Sequence, residues 1–173
     1  MIISGYKARN AFNRLRGWKA ELQRYAQLGF NSELSAIFTH DGVHYDLGVL
    51  GRRVVTTVGV NYLATAFINT VEPETINYHS SGTGVAAEAI GDVALGTDSG
   101  VARATGAQSN PVAGQYRSIA TQSYVSALAI TEHGIWSAAA AGTLWDRTVF
   151  AAVNVVSGDA IQFTYTLTIN AGG

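Results

Sequence analysis

The chain has 173 residues, no cysteine, and 13% charged side chains, against about 25% in an average soluble domain. That length supports one sizeable core, and the lack of cysteine excludes a disulfide framework and any thiolate nucleophile or metal site. The net charge of −1 hides an asymmetry: residues 1–53 hold eight basic and four acidic side chains, and residues 54–173 hold three and eight. Parts of opposite sign can favour head-to-tail contacts between copies, but nothing argues for a nucleic-acid partner.

Residues 7–28 are predicted as an amphipathic helix. Ala8, Ala11, Phe12, Leu15, Trp18, Leu22, Tyr25 and Ala26 recur at three- and four-residue spacing, with Arg9, Arg14, Arg16 and Arg24 mostly off that stripe. Residues 36–47 follow as a hairpin, because Asp41-Gly42 is the preferred pair for a two-residue turn. With that turn, His40 and His44 point to opposite sides of the ribbon. Residues 54–69 suggest a second helix, capped by Thr56 or Thr57, although the β-branched residues at its start argue for a strand instead, and residues 1–70 together read as an N-terminal arm.

Residues 71–173 read as a β-domain. A strand is expected over 75–80, then a glycine- and alanine-rich stretch to residue 114 in which 86–95 forms either a short helix or an irregular loop. Further strands are expected over 116–131, 134–137, 144–156 and 159–169. In the last, Ile161, Phe163, Tyr165, Leu167 and Ile169 alternate with Gln162, Thr164, Thr166 and Thr168, the pattern of a strand buried on one face. Short strands separated by turns indicate a mainly β fold, an antiparallel β-sandwich or jelly-roll-like domain with an N-terminal α-helical arm.

The polar residues form no coherent reactive constellation. His40, Asp41, His44 and Asp46 have the chemistry of metal ligands, but the hairpin separates the two histidines. Glu132 and His133 are adjacent in a strand and so face opposite ways, and no nucleophile elbow accompanies them. Gly82-Thr83-Gly84 matches only part of a phosphate loop. Glu88, Asp92 and Asp98 lack the spacing of a calcium loop. Trp136 and Trp145 flank one turn and are expected to pack together, although Trp18, Trp136 and Trp145 are also the side chains on which a glycan would stack. The expectation is a non-enzymatic protein without metal or cofactor. Its start, MIISGYK, lacks the apolar core of a signal peptide and no apolar run reaches about 18 residues, so no membrane partner is expected.

Six blocks carry a family resemblance: residues 75–84 (TINYHSSGTG), 87–95 (AEAIGDVAL), 102–106 (ARATG), 129–135 (AITEHGI), 142–147 (GTLWDR) and 155–159 (VVSGD). In order and spacing they resemble small virion proteins of tailed bacteriophages, over roughly residues 75–169. The resemblance implies a capsid decoration or cement protein, made in the host cytoplasm and carried on the capsid surface. Its partners would be the major capsid protein and copies of itself, as a homotrimer. Phe12, Arg14, Leu15 and Trp18 of the arm are the expected partner contacts. The alternative implied is a tail-fibre or receptor-binding module for a cell-surface glycan.

Overall fold

The computed structural model describes residues 29–52, 54–68 and 75–170. The helix expected over 7–28, with Phe12, Arg14, Leu15 and Trp18, lies outside the described residues, as do 71–74. Residues 31–168 form one compact unit. The fold is mainly β, in two antiparallel sheets of five strands with one helix among the described residues.

Chain order is β1 (Gly29–His40), β2 (Val43–Gly51), β3 (Val54–Val55), helix α1 (Thr57–Phe67), β4 (Tyr78–Gly82), β5 (Ala104–Thr105), β6 (Ala107–Ser109), β7 (Gln115–Ser123), β8 (Leu128–Trp136), β9 (Leu144–Val155) and β10 (Ala160–Asn170). The first sheet runs β2-β1-β10-β7-β6 and the second β3-β9-β8-β4-β5. The last strand therefore sits in the middle of the first sheet.

The predicted hairpin is present and longer than expected. Asp41 and Gly42 both adopt positive φ, 48° and 75°, the conformation a two-residue turn of this type requires. Thr39 pairs with His44 and His40 with Val43. Thr56 caps α1, its hydroxyl accepting from the Gly59 N–H at 3.0 Å. Hairpin and helix both belong to the compact unit that contains the later strands.

The alternation of β10 is realised: Ile161, Phe163, Tyr165 and Leu167 are buried, while Ile169 is exposed. Opposite them in register on β7 lie Gln122, Ala120, Ser118 and Tyr116. In the second sheet, β8 is buried on both faces from Ile130 to Trp136, because its outer face is also covered. The segment between β4 and β5 lies there, with Leu95 against Gly134 and Arg103 stacked 3.6 Å over the Trp136 ring. The start of α1 packs on Trp145, whose carbonyl accepts from the Thr56 N–H at 2.9 Å.

Of the two alternatives for residues 86–95, the irregular loop is the one present, accompanied by Gly91 and Gly96. Two expectations require correction. The strand expected over 116–131 is broken at residues 124–127, and 128–136 is one strand. No glycine or proline marks that break; the Tyr124 N–H donates to the Asp159 carbonyl and the Gly158 N–H to the Tyr124 carbonyl, both at 2.9 Å. Trp136 and Trp145 do not share a face either. Trp136 opposes Leu144 and Ile135 opposes Asp146, so Trp145 is the extra residue of a bulge.

Candidate functional site

The inward face of the second sheet is unusually polar. His79 and Ser81 on β4, His133 on β8, and Asp146 and Thr148 on β9 are all buried, and register places Ser81 opposite His133, and His133 opposite Thr148. Across from them the first sheet presents Ser118 and Gln122 on β7 and Tyr165 on β10, among apolar neighbours.

These groups join the two sheets through hydrogen bonds. His79 Nε2 lies 2.8 Å from Ser118 Oγ, and His79 Nδ1 lies 2.9 Å from His133 Nε2. The His133 ring rests 4.6 Å from the Phe163 ring of β10. Each short contact needs one proton between two heteroatoms, which neutral imidazoles supply in either tautomeric direction. Burial lowers the His79 pKa to about 4 and, with the nearby His79 ring, holds His133 well below the ordinary imidazole value.

A hydroxyl, an imidazole and a second imidazole in line is the order of a nucleophile, its base and an orienting group. Here all three side chains are enclosed: Ser118 and His79 are 0% exposed and His133 2%. The backbone of Gly106, where the chain leaves β5 for β6 and changes sheet, closes the approach. A Cβ at Gly106 would collide with Ser118 Oγ and come within 2.9 Å of His79 Nε2. Asn77 fastens this corner, its carbonyl accepting from the Gly106 N–H at 2.7 Å and its side-chain amide donating to the Gly106 carbonyl at 3.1 Å. In this geometry the chain of hydrogen bonds ties sheet to sheet and offers a substrate no access.

Beside it, Trp145 Nε1 donates to the Tyr165 hydroxyl at 2.9 Å, and that hydroxyl donates to Asp146 Oδ2 at 3.3 Å. Burial pushes the Asp146 carboxyl up to about 7, against hydrogen bonds from Ser32, Tyr165 and Thr148 that favour its charged form.

Glu132 faces the other way from His133, as strand geometry requires. Its Oε1 accepts from the N–H groups of Gly84 (2.9 Å) and Thr97 (2.7 Å), and its Oε2 from Gly96 N–H (2.9 Å) and Arg147 Nε (2.7 Å). Arg147 also reaches Asp92 at 2.8 Å and the Ala86 carbonyl at 3.0 Å. Burial alone would raise the Glu132 carboxyl, but the Thr97 and Gly96 N–H groups and Arg147 outweigh it and hold it below its usual range. The carboxylate thus pins the loop between β4 and β5 onto β8.

Several candidates read from sequence occupy other places. His40 Nδ1 bonds Asp159 at 2.7 Å and His44 Nδ1 bonds Thr39 at 2.8 Å, so the histidines are separated, as the hairpin register implies. Asp92 serves the Arg147 network, Asp98 accepts from the Gly100 N–H, and no cluster of metal-ligating residues occurs among the described residues. Trp136 and Trp145 are 5% and 3% exposed. Asp146 and Arg147, adjacent in sequence, point to opposite faces and belong to separate clusters. The sequence reading did not single out His79 or Ser118. His79 carries a weak local signal as a histidine among the polar residues of the short strand β4, but its partners lie 39 and 54 positions away.

No helix among the described residues is long and apolar enough to cross a membrane. No family model matches the chain, and no curated protein matches it.

Proposed function

We propose that this chain is a structural component of a tailed-bacteriophage particle, a decoration protein that binds between capsid subunits and works as a homotrimer. One observation carries the reading: the reactive groups at the centre of the fold are enclosed, while large apolar side chains stand outside. Val43, Tyr45 and Val49 on β2, and Val60, Phe67 and Ile68 on and beyond α1, are 42 to 77% exposed. Apolar surface of this kind is a feature of association. In this reading the two sheets form a sandwich of jelly-roll type. The amphipathic stripe with Phe12, Arg14, Leu15 and Trp18 supplies partner contacts, and repeated binding across a lattice adds many modest contacts together.

A second reading, a tail-fibre module for a glycan, is favoured by Tyr45, which is 48% exposed with its ring 6.0 Å from Phe38. Burial of Trp136 and Trp145 removes them as stacking platforms for it. Quantitative peptide mass spectrometry of purified particles of the source phage separates the readings. Abundance near that of the major capsid protein is the expected outcome. A small fraction of it favours the fibre, and absence from the particle rejects both.

A further inference from the structure

The contact between the sheets at His79, His133 and Ser118 is made by groups that fit their surroundings only while uncharged. Both rings are enclosed, and each group facing them is neutral. From β7 comes the Ser118 hydroxyl, from β10 the Phe163 ring, from β9 Thr148 in register with His133, from β4 Ser81, and from the corner at Gly106 only backbone and Asn77. The carboxylate on the same inward face is Asp146, in register with Ile135 and bonded to Tyr165 and Thr148. Glu132, Arg147 and Asp92 are paired with one another on the opposite face of the second sheet. The hydroxyls of Tyr124 and Tyr165 are engaged with Ser81 and Asp146. A proton on either imidazole therefore places a cation in the core with no carboxylate bonded to it, an arrangement that is strongly unfavourable.

We propose that the His79–His133 pair is an acid-operated latch, which holds the two sheets together while neutral and releases them when a ring takes up a proton. This inference rests on the geometry of the pair and is independent of the proposed function. The direction of the pKa shifts agrees with it: in the opened chain the rings bind protons near 6.5, whereas enclosed His79 resists until about 4 and His133 is also depressed. The contribution of the pair is complete above pH 6.5 and is lost as pH falls from there toward 4. Asp146 acts with the opposite sign, because its raised carboxyl is neutralised in place as pH falls below about 7. Two rings against one carboxyl leave a net uptake of about one proton on opening in this window. The Glu132–Arg147–Asp92 network does not open there, since its carboxyls are held below their usual range.

The test is a reversible pH titration of the full chain from 7.5 to 3.5, followed by near-ultraviolet circular dichroism and tryptophan emission. A cooperative, reversible loss of signal between pH 6 and 4 is expected. His133→Gln, which keeps a side-chain amide near His79 and removes one titrating ring, is expected to move the midpoint down by at least half a pH unit. Native signal persisting in the unaltered chain at pH 3.5, or an unmoved midpoint in His133→Gln, overturns the latch. Should the variant not fold, nitrogen-15 NMR of the histidines in the unaltered chain decides. Two enclosed rings that stay neutral until opening, and gain protons with it, support the latch; either ring titrating while the native spectrum persists overturns it.

Discussion

The His79 ring and the Ser118 hydroxyl, on different sheets, meet at 2.8 Å with neither exposed to solvent. Removing the hydroxyl leaves a ring nitrogen of His79 enclosed without its partner, which costs about 1–3 kcal/mol. Ser118→Ala is therefore expected to lower the free energy of unfolding by that amount, read as a lower urea midpoint with an unchanged slope. Combined with His133→Gln, the loss should differ from the sum of the single losses, because both substitutions act on one hydrogen-bonded chain.

Gly106→Ala tests the corner where the chain changes sheet. The new methyl has no room beside Ser118 Oγ and His79 Nε2, so overpacking is expected to cost about 1–3 kcal/mol. Calorimetric unfolding measures it. Adding Ser118→Gly makes space and should recover part of the loss; no recovery would mean the strain lies elsewhere.

Glu132→Gln replaces an acceptor-only group by one whose amide nitrogen must face a donor, either a backbone N–H or Arg147. It also leaves Arg147, only 3% exposed, with Asp92 alone as its counter-charge. Breaking such a pair costs about 3–5 kcal/mol. Hydrogen exchange should show the Gly84, Gly96 and Thr97 amides losing protection first, since they donate to this carboxylate.

Asp146 makes stability fall with rising pH. Its folded pKa is raised from 3.8 to about 7, so its favourable contribution is fully present below pH 3.8 and is lost as pH rises through about 7. Against Asp146→Asn, the unaltered chain is expected to lose up to about 1.4 kcal/mol per pH unit between pH 5 and 7, levelling above. Urea unfolding at four pH values measures this, with Trp145 as the reporter through Tyr165. A difference that does not change with pH would refute the assignment.

Phe12→Ala with Trp18→Ala in the full chain tests the proposed partner contacts. Particle binding, measured by co-sedimentation with capsids lacking this protein, is expected to fall at least tenfold with the far-ultraviolet spectrum preserved. Retained binding removes the residue 7–28 segment from the mechanism.

Local sequence determined which way side chains point. The alternation of residues 161–167 fixed the buried face of β10, Asp41-Gly42 fixed the hairpin register, Thr56 fixed the start of α1, and adjacency within a strand fixed Glu132 and His133 on opposite faces. Each follows from backbone periodicity or turn chemistry acting over a few residues. Tertiary structure decided who meets whom. His79 found His133 and Ser118, Arg147 took Glu132 and Asp92 instead of adjacent Asp146, and the break at residues 124–127 was set by backbone bonds to Gly158 and Asp159. Those partners depend on strand order and register between segments far apart in the chain, which local periodicity does not encode.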